Sequence, residues 1–105
     1  MCVADSVKEW FRKQLQKAVD LIQDYEIEYE EIGVFGSYAR NEYKATSDID
    51  LCIITEQKPD RHISGSLREE AELLHVDIVF VTMDYFEHST EPFAQQLRRD
   101  YRRVF

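Results

Sequence analysis

"GVFGSYARNEYKATSDIDLCII", residues 33–54, decides how this chain folds. Its first part is an apolar segment that stops at Gly36 and Ser37. Its last part places Asp48 and Asp50 directly before the apolar run "LCII". Ten residues, 38 to 47, separate Ser37 from Asp48. A hairpin-like return over that span lays a second strand beside the first, so the Gly-Ser turn and the aspartates share one rim. Residues two apart in a strand point the same way, so Asp48 and Asp50 project together. Two such charges repel by roughly 1 to 4 kcal/mol, depending on the effective dielectric. A proton on one, or a cation between them, relieves the repulsion. Oxygen-preferring Mg²⁺ or Mn²⁺ is the natural resident. Gly36 lets a phosphate approach the backbone, and the N–H groups of a helix start attract anions. Ser37 adds a hydroxyl. Arg40, one turn on, can reach a phosphate or pair with a carboxylate. Each feature alone has a plainer reading: a solvated strand end, an ordinary turn, a surface arginine.

Working outward, Val7, Trp10, Phe11, Leu15, Ala18, Val19, Ile22 and Tyr25 recur at spacings of three and four. That predicts a helix from about Asp5 to Tyr25, capped by Asp5 or Ser6. Strands follow at 29–35 and 47–55, the second buried on both faces because Leu51 to Ile54 is continuously apolar. Pro59 is a stop. "SLREEAELLH" predicts a helix, and "VDIVFV", residues 76–81, a third strand. "MDYFEHSTEP" reads as a connection, "PFAQQLRRDY" as a helix opened by Pro92, and "RRVF" as a short edge strand. The order predicts an α+β (α/β two-layer) domain over 1–105, a small mixed sheet with helices packed mainly on one face.

The third strand opens with Asp77, and a charge there is costly if buried and unpaired. Placed beside the second strand it can join the same metal, or act as general base for an attacking hydroxyl. Its plainer reading is again a solvated strand end.

The totals narrow the function. Of 105 residues, 44% are hydrophobic and 32% charged, which predicts a globular domain rather than a disordered chain. No apolar run approaches the ~20 residues of a membrane span, and the first residues lack a signal-peptide core, so the cytoplasm is the expected location. The net charge of −8 argues against general nucleic-acid binding and suits a basic protein partner or a cation. Cys2 and Cys52 are expected to stay reduced, and neither has the company a zinc site needs.

Gly-Ser, ten residues, Asp-x-Asp, and a later Asp on a third strand together resemble the DNA polymerase beta-type nucleotidyltransferases. Within that superfamily the stretch 33–54 is similar to the minimal nucleotidyltransferases (MNT), and the likeness runs from about Ile32 to Val81. The resemblance implies the polymerase-beta-like fold, with Gly36, Ser37 and Arg40 at the triphosphate of ATP. It makes Asp48, Asp50 and Asp77 the catalytic, Mg²⁺-binding triad (Mn²⁺ also fits). It implies an antitoxin that transfers AMP to a tyrosine of a HEPN-family RNase toxin, in a hetero-oligomer with it. Two other functions share the motif: a non-catalytic antitoxin acting by contact, and a transferase for a small molecule such as an aminoglycoside. Asn41 departs from the family's usual "GSxARG", and it tolerates the left-handed backbone a glycine would take there. About 25 residues follow the third strand, too few for an acceptor-binding domain, so a partner is expected to bring the acceptor.

Overall fold

The computed structural model describes residues 3–40 and 48–105. The predicted first helix is α1, Val3–Asp24, and it starts early enough that Asp5 and Ser6 lie inside it rather than capping it. β1, Glu31–Phe35, leads into the short α2, Gly36–Ala39, as the Gly-Ser turn suggests. β2 is Ile49–Thr55 and β3 is Val76–Thr82. Between them α3, Arg61–Glu72, begins five residues before the predicted Ser66. Asp60 explains the early start: its carboxylate accepts the His62 N–H at 2.6 Å and satisfies one orphan donor of the first turn. The segment predicted as a connection contains α4, Met83–His88, capped by the Thr82 hydroxyl, which accepts the Tyr85 N–H at 3.1 Å. α5, Pro92–Asp100, has its proline in the first turn as expected, and β4, Arg102–Arg103, is the short last strand.

The sheet order is β3-β2-β1-β4. β2 runs antiparallel to β1 and parallel to β3, so α3 is the crossover that a parallel pair requires. β4 pairs antiparallel with the other edge of β1. Leu51, Cys52, Ile53 and Ile54 are all fully buried, which means that both faces of β2 are covered. Ile49, Leu51 and Ile53 pack with Phe11, Ala18 and Ile22 of α1 and with Leu67 and Ala71 of α3. Cys52 and Ile54 pack with Leu97 of α5, with Phe86 of α4, and with Tyr101. The two long helices thus hold one face. α4 and α5 close the other, a covering that the continuous apolar run in β2 demands. Gly33 has a packing reason: a Cβ there would run into the Tyr101 ring.

Among the described residues no helix is long and apolar enough to cross a membrane.

Candidate active site

The site forms where β1 ends and β2 and β3 begin. β1 and β2 pair in a register that sets Phe35 opposite Asp50. The parallel register sets Asp50 beside Asp77. Gly36 follows Phe35 with φ +71°, a conformation that costs a side-chain-bearing residue about 1–2 kcal/mol. A Cβ on Gly36 would collide with Asp50 Oδ2. Glycine is therefore required twice, by its backbone angle and by the carboxylate lying against it. The turn closes with the Arg40 N–H donating to the Gly36 carbonyl at 3.1 Å. Gly36 and Asp50 thus come together across the strand pair, which is the juxtaposition that the spacing predicts.

Asp50 is half-buried, while Asp48 and Asp77 are exposed. Its carboxyl is pushed above the ordinary range, first by burial, then by the charge of Asp77, then by that of Asp48. Arg40 pulls it back down. Arg40 also makes an ion pair with α5: Nη1 donates to Asp100 Oδ2 at 2.6 Å. Of the two roles open to Arg40, the carboxylate partner is the one in place. Gln96 and Arg40 hold the Asp100 carboxyl below its usual range. The pair ties α2 to α5, so the turn behind Gly36 is anchored to the far helix.

Asp48 lies one residue before β2 begins, and its Oδ1 is 3.6 Å from His75 Nδ1. His75 is held by the Ile49 N–H, which donates to its carbonyl at 2.9 Å, and it has φ +61°. Among the described residues no three carboxylate, imidazole or thiol groups converge as a metal cage. Asp50 and Asp77 are neighbours, and Asp48 is turned toward His75. The donor set nonetheless suits a hard cation: oxygen ligands, like charges near one another, and one carboxyl pushed up by burial and then by its charged neighbours. The Ser37 side chain, Asn41 and Ser47 lie outside the described residues.

His75 and Asp100 are absent from the sequence reading. The only local signal for His75 is its place between a helix end and a strand start. Asp100 gives none for its pairing with Arg40, which lies sixty residues away.

Comparison with known proteins gives this geometry its context. The family model of the nucleotidyltransferase domain matches residues 9–103. A Methanocaldococcus jannaschii protein with the provisional name protein adenylyltransferase MJ1215 is 38% identical over 83 residues, spanning 78% of this chain and 91% of that protein. A Sulfolobus solfataricus structure, provisionally a nucleotidyltransferase, superposes with a TM-score of 0.66 at 19% identity, covering 95% of this chain and 86% of that one. A chain from the complex of tri-AMPylated Shewanella oneidensis HEPN toxin with MNT antitoxin gives 0.61 at 19% identity, covering 90% of this chain and 71% of that one. A chain from a toxin–antitoxin complex with AMP-PNP gives 0.64 at 22% identity, covering 86% and 71%. At such identities the structures speak for the fold alone. The family match is of another order, because it spans nearly the whole chain and includes Gly36, Asp48, Asp50 and Asp77. This chain belongs to the nucleotidyltransferase domain family and is a nucleotidyltransferase.

Proposed function

We propose that the chain is the antitoxin of a HEPN–MNT pair and transfers AMP from ATP to a tyrosine of its toxin. One observation carries the reading. The Asp50 carboxylate lies against Gly36 and beside Asp77, which supports reading that turn as a triphosphate cradle next to two of the three carboxylates.

In this reading Gly36 and Ser37 hold the triphosphate through backbone N–H groups and the serine hydroxyl, with the Arg40 charge nearby. Asp48, Asp50 and Asp77 would hold Mg²⁺ or Mn²⁺ through their carboxylate oxygens. When bound, the cation offsets the negative charge gathering on the phosphates. The tyrosine oxygen forms a bond to the α-phosphorus as the bond to the bridging oxygen of the pyrophosphate breaks. The phenolic proton passes to Asp77, whose exposure lets it hand the proton to water. The pyrophosphate leaves from the Gly36 side. A cavity of about 480 Å³ between α3 and the start of β3 opens beside Asp48 and Asp77 and gives the acceptor its way in.

The test is transfer of label from α-labelled Mg-ATP to a candidate HEPN-family toxin incubated with this chain. The toxin should carry label with the wild type and none with Asp48→Asn plus Asp50→Asn. If that double variant still rescues cells from the toxin, neutralisation is by contact and catalysis is not needed. Label on an added aminoglycoside in place of the toxin would move the substrate to a small molecule.

A further inference from the structure

Phe93 and Leu97 lie four apart on α5, and by spacing alone both should pack on the sheet. The structure separates them. Leu97 is fully buried, whereas Phe93 is 43% exposed. The Phe93 ring meets the Phe35 ring nearly at right angles, with centroids 6.0 Å apart. Phe35 is half-buried against the cluster around Leu97. It is also the residue before Gly36 and the register partner of Asp50. Directly opposite residues of an antiparallel pair share a face, with Cβ atoms about 5 Å apart. The exposed aromatic ring therefore stands against Phe35, the residue directly across from Asp50, at the end of the strand pair that carries Gly36 and Asp50.

We propose that Phe93, backed by Phe35, is the stacking platform for the base of the bound nucleotide. The proposal rests on the reading of Gly36 and Asp50 as the phosphate and cation end of the site. A large apolar ring kept half in water beside a phosphate cradle is unused by the core. A nucleobase is the part of a nucleotide that gains by covering it. The ring is also well mounted. Arg98 Nη1 and Nη2 donate to the Phe86 and Ser89 carbonyls at 2.6 and 2.8 Å, and Arg40 grips Asp100. Those contacts hold α5 on both sides. Stacking on phenylalanine offers no hydrogen bond to a base edge, so this contact supplies affinity with little choice among bases.

The experiment is calorimetric titration of the full chain, in Mg²⁺, with AMP-PNP and separately with inorganic tripolyphosphate. Phe93→Ala should weaken AMP-PNP about tenfold and leave tripolyphosphate unchanged. Phe93→Trp should bind AMP-PNP at least as tightly as the wild type. An unchanged AMP-PNP affinity in Phe93→Ala overturns the platform and leaves Phe93 as a protein-contact residue. Equal weakening of both ligands also overturns it, since the ring would then act on the cradle. A wild type that binds AMP-PNP but not tripolyphosphate, with Phe93→Ala no weaker, refutes the platform alone. A wild type that binds neither ligand refutes the phosphate site on which it rests.

Discussion

Replacing Asp50 by asparagine removes a charge and almost no volume, so it isolates the electrostatics of the site. Burial, Asp77 and Asp48 all raise the Asp50 carboxyl, in that order, and only Arg40 opposes them. A carboxyl whose folded pKa lies above its unfolded value takes up a proton more readily when folded. Its cost to stability is therefore absent at low pH and grows as pH rises through the folded value. At about 6 Å, two unit charges repel by about 0.7 kcal/mol in water and about 3 kcal/mol at an effective dielectric of 20. Asp77 is exposed and the Asp48 side chain is 61% exposed, so the watery end of that range applies, reduced further by salt. Partial burial of Asp50 adds to the cost, and Arg40 subtracts from it. The net is about 1 kcal/mol against the metal-free wild type at neutral pH.

That figure corresponds to a Tm change of about 4–8 °C for a domain of this size. In EDTA at pH 7, Asp50→Asn should melt that much above the wild type by circular dichroism. The gap should shrink toward zero as pH falls and the wild-type carboxyl takes its proton. Adding Mg²⁺ should reverse the order, because the wild type gains a ligand-linked term that the variant lacks. A variant that melts below the wild type in EDTA at pH 7 would refute the reasoning. So would a Mg²⁺ shift of equal size in both proteins.

Other substitutions probe the surroundings. Gly36→Ala should cost about 1–2 kcal/mol from the backbone angle and abolish AMP-PNP binding by displacing the Asp50 carboxylate, measured by urea unfolding and calorimetry. Thr55 is fully buried and its hydroxyl has no hydrogen-bond partner among the described residues, so Thr55→Val should raise stability by about 1 kcal/mol in the same unfolding assay. Burial, with Glu31 second, pushes the Cys52 thiol up to about 12. In a Cys2→Ser background, Cys52 should therefore ignore a thiol reagent at pH 8 until denaturant is added.

The parts of this molecule legible in its sequence are those where a residue contradicts its surroundings. A charge at the threshold of an apolar strand is such a contradiction, and Asp50 and Asp77 are visible for that reason. The structure sets them side by side in register. Gly36 is visible because a glycine between a strand and a turn needs an explanation, and the structure gives two. The continuous burial of Leu51 to Ile54 is legible too, and it already implies a layer on each face of β2. What supplies the second layer is harder to see. α4 has six residues and none of them is buried, so it leaves no periodic stripe to detect. Its cap, Thr82, is also the last residue of β3, and a pattern search counts it there.

The residues that position the site are hidden for a different reason. Asp100 sits among "RRDYRR", where a carboxylate between arginines looks like ordinary surface. Its burial and its grip on Arg40 come from the return of α5 across the sheet, a contact with no local signature. Phe93 shows the same limit from the other side. Helical spacing assigns it the same environment as Leu97, and only the position of α5 against the end of β1 leaves one ring in water and the other residue in the core. The candidate carboxylates thus declare themselves one residue at a time. The groups that aim them and those that would receive the base depend on which element lands at the strand ends, and that is set by the sheet order rather than by any stretch of sequence.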